Sequence, residues 1–69
     1  MNKVLKKIEH FKDTKSKKLN LSYLNLTEIP DNVFELDNVE HLQLSFNDIK
    51  IIPQKIKKLN CRIIEIHHN

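Results

Sequence analysis

Four histidines and one cysteine are the side chains of this 69-residue chain that could bind a metal ion or form a nucleophile–base pair. His67 and His68 are sequence neighbours, which point to opposite sides of an extended chain, so one ion does not readily take both. Cys61 falls in the apolar pattern and is expected to be a small buried hydrophobe, whereas a nucleophilic thiolate needs exposure and a nearby base. We therefore expect no metal site, no cofactor and no catalytic residue.

Length and composition also exclude most enzyme classes. At 8.2 kDa the chain makes one small domain, which leaves no room for a large buried cleft. Glycine is absent, so there is no phosphate-binding loop, dinucleotide fingerprint or glycine-flanked nucleophile. The sequence predicts a protein that is not an enzyme.

The cellular setting is indicated by what the sequence lacks. No apolar run approaches the length that spans a membrane, and the first residues lack the apolar core of a signal peptide. A single cysteine is typical of a reducing compartment. We expect a cytoplasmic protein.

An internal repeat with a period of 23 residues organises most of the chain. A shift of 23 aligns Leu19 with Leu42, Leu21 with Leu44, Leu26 with Ile49, Ile29-Pro30 with Ile52-Pro53, Val33 with Ile56 and Leu36 with Leu59. A further shift of 22 maps Leu42, Leu44 and Asn47 onto Ile64, Ile66 and Asn69. Such a period predicts stacked units that share one core.

Each unit combines two hydrophobic periods. Leu42-Gln43-Leu44 alternates as a short strand does, while Ile56 and Leu59 recur at a spacing of three, which favours a helical turn. Pro53 suits the start of that turn, because its missing N–H has no partner there anyway. Each unit is therefore predicted to be a short strand, a tight turn and a return segment of helical or 3₁₀ character, with the strands paired in parallel.

The pattern Val39-x-x-Leu42-x-Leu44-x-x-Asn47-x-Ile49-x-x-Ile52-Pro53-x-x-Ile56-x-x-Leu59 resembles the leucine-rich repeat. The resemblance implies an α/β leucine-rich-repeat solenoid, with short parallel strands on the concave side and helical or 3₁₀ segments on the convex side. Repeats would cover residues 16–69, as units 16–38 and 39–60 and a partial unit 61–69. The first unit departs from the pattern at Leu24, where the family has asparagine.

The resemblance also implies which side chains do what. Asn47 and Asn69 take the places of the family's ladder asparagine, whose amide satisfies backbone groups of the turn. Residues between the strand leucines face the concave side, and aromatic rings just beyond them line up as a column that could anchor a protein partner. The concave residues expected to bind are Asn20, Ser22, Tyr23, His41, Gln43, Ser45, Phe46 and His68. Phe46 has a second interpretation, as a core residue turned inward beside Asn47.

Residues 1–15 are predicted to form an amphipathic helix and linker. Val4, Leu5, Ile8 and Phe11 lie on one stripe at helical spacing, and lysines lie off it. The favoured interpretation is a helix that caps the N-terminal end of the repeats. The alternative is a basic helix that binds an anionic membrane surface or nucleic acid.

Charge falls in three blocks along the chain. Residues 1–18 carry a balance of +5, residues 19–49 carry six acids and no base, and residues 50–69 carry +4. In a stack these blocks become adjacent layers, with Glu35 expected over Lys58. The acidic middle layer interrupts any continuous basic stripe, which argues against a nucleic-acid site.

The last strand, expected over residues 62–67, has no repeat beyond it in this sequence. It would leave an apolar strand edge of the kind that proteins cover or blunt. The residues expected to form this docking edge are Ile63, Ile64, Glu65, Ile66 and His67. The sequence predicts a protein-binding module that docks through this edge and the concave face, either on a partner or on a second copy as a homodimer, with the isolated monomer marginal. A fragment of a longer leucine-rich-repeat protein is a further alternative.

Overall fold

The structure, a computed structural model, describes residues 2–69, with side chains from Lys3 onward. It contains one α-helix, three short strands and two single-turn 3₁₀ helices. In chain order these are α1 (Asn2–Asp13), β1 (Lys18–Asn20), a 3₁₀ helix (Asp31–Glu35), β2 (His41–Gln43), a second 3₁₀ helix (Gln54–Lys58) and β3 (Ile63–Glu65). The fold is mixed α/β.

The three strands form one parallel sheet in the order β1-β2-β3. Leu19 pairs with Leu42, which pairs with Ile64, so the register equals the sequence shifts of 23 and 22. Strand β3 is shorter than predicted: it runs from Ile63 to Glu65 rather than over residues 62–67.

The two return segments are built alike. Pro30 and Pro53 precede the 3₁₀ helices in extended conformation, and the N–H of Leu36 and of Leu59 donates to the carbonyl three residues before it. Proline fits this place because it presets φ and needs no acceptor there. The alternation of strand and helical turn inferred from residue spacing is therefore present in both full units.

Helix α1 lies against β1 and buries Val4, Ile8 and Phe11. Leu5, expected on the same stripe, is instead 48% exposed, because the residue after Val4 projects about 100° further round the helix. Within residues 2–69, no helix combines the length and the apolarity needed to cross a membrane.

One hydrophobic core runs through helix, strands and return segments. Among its least exposed members are Leu21, Val33, Leu42 and Leu44. These residues belong to the first two units, so the core is best enclosed between α1 and β2. Burial falls off towards β3, where the candidate site lies.

Candidate protein-docking surface

The outward edge of β3 carries backbone groups that the inner strands use for pairing. The N–H of Leu21 donates to the carbonyl of Gln43 at 2.8 Å, and the N–H of Leu44 donates to Glu65 at 2.7 Å. Ile66 holds the same position in the third unit, and within residues 2–69 its N–H has no acceptor. The carbonyl of Arg62, equivalent to that of Glu40, likewise accepts no bond there.

The second feature of this end is an apolar layer beside the edge, here called the end layer. Ile52 is 44% exposed, although its counterpart Ile29 in the preceding unit is 5% exposed. The sequence alignment of the two isoleucines predicts equal burial, and the difference arises because, among residues 2–69, no further unit packs against Ile52. The half-buried members that complete the end layer are Ile56, Cys61, Ile64 and Ile66. Cys61 is thus less buried than expected.

The rings of Tyr23, Phe46 and His68 form one stacked column across the three units. Phe46 lies 4.5 Å from Tyr23 and 4.4 Å from His68 between ring centroids, with interplanar angles of 6° and 13°. Phe46 is 40% exposed, which disfavours its interpretation as an inward core residue. All three residues have φ between 59° and 61°, a region that bulky side chains seldom occupy. Among residues 2–69, the column ends at His68, whose side chain is exposed.

Two asparagine side chains hold the turns that support this column. The Oδ1 of Asn47 accepts from the N–H of Leu24 and of Leu26 at 2.9 and 3.0 Å, and its Nδ2 donates to the carbonyls of Leu21 and Leu44. Asn69 repeats the pattern, accepting from Ile49 and donating to Leu44. Both amides therefore make the bonds expected of them. Leu24 holds the corresponding position of the first unit, and its N–H is one of the groups that Asn47 satisfies.

The concave face carries a polar cluster centred on Glu65. The Nε2 of His41 contacts the Oε1 of Glu65, and the Nε2 of His67 lies 4.0 Å from its Oε2. The hydrogen bond from His41 is the main cause that lowers the pKa of Glu65, opposed by partial desolvation and assisted by the charge of His41, by Gln43 and by His67. Glu65 is therefore tied to β2 and is less available to a partner than Ile63, which is 52% exposed.

Two predicted concave residues, Ser45 and Asn20, differ from simple surface contacts. Ser45 is only 5% exposed, and its Oγ has no partner among the described residues. It is covered by its own neighbours and does not offer a contact surface, which corrects the expectation. The Oδ1 of Asn20 accepts from the N–H of Ser22 at 3.0 Å, so this side chain folds back on its own strand.

Charges alternate between layers, although not through the pair expected. Lys17 lies 3.7 Å from Glu40 and Lys55 lies 3.7 Å from Asp31, each joining a basic unit to the acidic one. Glu35 and Lys58 are not among the ion pairs of residues 2–69. Arg62 borders the same shallow groove as Lys17 and Glu40. It was not singled out from the sequence, but shifts of 23 and 22 place it in register with both.

In the part of the chain that the structure describes, no three His, Cys, Asp or Glu side chains are grouped to hold a metal ion. Comparisons with protein-family models, curated proteins and solved structures find no match. The surfaces themselves therefore carry the functional argument: the β3 edge, the end layer and the ring column.

Proposed function

We propose that this chain is a short leucine-rich-repeat solenoid that acts as a non-catalytic protein-binding module. It docks an extended segment of a partner protein onto the outward edge of β3, where the segment adds a fourth strand. The repeat interpretation is supported by the parallel register of three equivalent strands and by the matched amide bonds of Asn47 and Asn69.

The observation that carries the proposal is the coincidence of three open features at one end. Among residues 2–69, the N–H of Ile66 has no acceptor, the end layer lies beside it, and the ring column stops at His68. An added strand satisfies the first through main-chain hydrogen bonds, while its side chains cover the other two. The predicted concave residues His41 and Gln43 lie on β2, on the far side of β3 from this edge, and so outside the docking site.

Self-association is the competing occupant of the same edge. A second copy meets the edge with its own residues 50–69, which carry +4, so the two surfaces repel each other. An unlike partner avoids this repulsion. The homodimer predicted from the sequence stays a prediction, and a mass measurement described below tests it.

The alternative use of α1, on a membrane or nucleic acid, has less support. Three of its four stripe residues are buried against the core, and only Leu5 of that stripe is exposed. A helix that binds a membrane surface needs an apolar face free to enter the lipid.

A peptide-display selection against the chain tests the proposed function. We expect enriched peptides of extended, alternating character whose binding perturbs the amide signals of Ile66 and His68. The Ile63→Glu variant places a negative charge on the edge strand and should weaken these peptides at least fivefold, since charged edge residues oppose strand addition. Ile51→Glu is the matched control, because Ile51 is already 76% exposed and is not part of the edge strand or the end layer.

The proposal is overturned by either of two results. One is that no peptide is enriched above background. The other is that the enriched peptides perturb amides far from β3 and bind Ile63→Glu as well as they bind the Ile51→Glu control.

A further inference from the structure

Building on the proposed function, we infer that the docked segment is acidic and runs parallel to β3. Its side chains follow the order acid-x-apolar-x-apolar-x-aromatic, with the acid opposite Arg62 and the aromatic ring stacked on His68. The partner is thus a protein that presents an acidic, amphipathic extended segment.

The contact between β1 and β2 provides the template for this segment. Lys17, just before β1, pairs with Glu40, just before β2, and beyond the two strands Tyr23 stacks on Phe46. Between them, the N–H of Leu21 donates to the carbonyl of Gln43. A strand preceded by a basic residue therefore pairs, on the side of the next unit, with a strand that is preceded by an acid and followed by an aromatic ring.

Strand β3 presents the same set of groups on its open side. Arg62 stands in register with Lys17, the free N–H of Ile66 corresponds to that of Leu21, and His68 corresponds to Tyr23. Ile64 and Ile66 correspond to the strand positions that Leu19 and Leu21 fill in the first unit. What β2 supplies to β1, the partner supplies to β3.

The order of basic and acidic blocks along the stack also favours an acidic occupant. Residues 19–49, which carry six acids, lie between two basic blocks, and Lys55 already reaches back to Asp31. No acid among residues 2–69 forms an ion pair with Arg62, Lys57 or Lys58. An acidic neighbour on the open side continues the alternation, whereas a second copy offers another basic edge, its β2 being paired on both sides.

The acid of the docked segment is expected to contribute more to specificity than to affinity. Exposed ion pairs contribute little to affinity, while complementary charge raises association rates and excludes wrong partners. Main-chain hydrogen bonds and the end layer supply most of the attraction. The test therefore compares the affinity of peptide and chain when the two charges are opposite with the affinity when one of them is reversed.

A synthetic peptide with the sequence of residues 38–48 is the probe, because it contains Glu40 and Phe46 in the required order. Its affinity for the full chain is measured by fluorescence anisotropy. Four combinations are compared: the native peptide and its Glu40→Lys form, each with the native chain and with Arg62→Glu. Arg62 is exposed, so its replacement should leave the circular dichroism spectrum unchanged. Lys6→Glu on α1, at the opposite end, is the control with the same change of charge.

We expect each single reversal to weaken binding roughly threefold to fivefold, the double reversal to restore most of the loss, and Lys6→Glu to stay within about twofold. Equal binding of all four combinations overturns the inference of an acidic partner but not the proposal that β3 is a docking edge. Absence of binding by this peptide, when selected peptides do bind β3, has the same meaning. Failure of every peptide overturns the proposed function itself. A dimer of the chain alone at the assay concentration identifies a second copy as the occupant and overturns the inference.

Discussion

The rings of Tyr23 and Phe46 lie parallel, with centroids 4.5 Å apart, and both residues adopt a positive φ, of 61° and 59°. The backbone turns sharply at these positions as each strand ends, and the chain has no glycine to make the turn. Stacking between aromatic rings offsets part of the cost of placing a bulky residue in this region. The column thus stabilises the turns, and its last ring, His68, lies at the β3 end of the sheet.

The first prediction concerns how much the stacked rings contribute to the free energy of unfolding. Phe46→Leu removes two stacking contacts and is expected to lower the free energy of unfolding by about 1–2 kcal/mol more than its loss of area alone. Tyr23→Leu removes only one contact from a residue that is 71% exposed, and should cost about half as much. Urea denaturation of both variants measures the difference. Equal losses would mean that stacking on His68 contributes nothing.

The second prediction concerns the asparagine amides. Asn47→Ala leaves the N–H groups of Leu24 and Leu26 without their acceptor in a part-buried turn. We expect a loss of about 2–4 kcal/mol, since each unpaired buried group costs about 1–3 kcal/mol. Asn69→Ala, at an exposed position, should cost about 1 kcal/mol. A larger loss from Asn69 than from Asn47 contradicts the account of the two turns.

The third prediction is a pH dependence centred on Glu65. Because His41 and its neighbours hold the folded-state pKa of Glu65 below its ordinary value of 4.5, the carboxylate stabilises the fold above that pH. This contribution is lost as the pH falls below 4.5 and through the lowered folded-state pKa. Glu65→Gln should flatten the acid limb of the stability curve, as measured by thermal unfolding across pH. An unchanged acid limb counts against the contact with His41.

The fourth prediction concerns the mass of the chain in solution. Repulsion between two basic ends predicts that sedimentation gives the monomer mass of 8.2 kDa at low ionic strength. Association should increase as salt screens the repulsion, since the Debye length falls from about 30 Å at 0.01 M to about 3 Å at 1 M. A dimer that is tightest at low salt supports the homodimer instead.

Residue spacing was sufficient to predict the framework of this protein. Equivalent positions in stacked units must lie side by side, so aligning Leu19, Leu42 and Ile64 gave the register of the sheet, and aligning Tyr23, Phe46 and His68 gave the column. The matching prolines located both 3₁₀ helices for the same reason.

Features that depend on side-chain packing were not predictable in this way. The burial of Ser45 and the exposure of Leu5 depend on how neighbouring side chains cover them, which a one-dimensional pattern does not contain. The contact of His41 with Glu65 runs diagonally between strands, because His41 is in register with Ile63. The ion pair between Lys17 and Glu40, with which Arg62 is in register, likewise depends on side-chain placement.

The most direct test of the docking edge is an amide-resolved nuclear magnetic resonance titration of the full chain with the peptide of residues 38–48. The account predicts saturable shifts that are largest for the N–H groups of Ile66 and His68, together with slower hydrogen exchange at Ile66. Shifts confined to α1 or β1, or no shift at Ile66 when the peptide is bound, would contradict it.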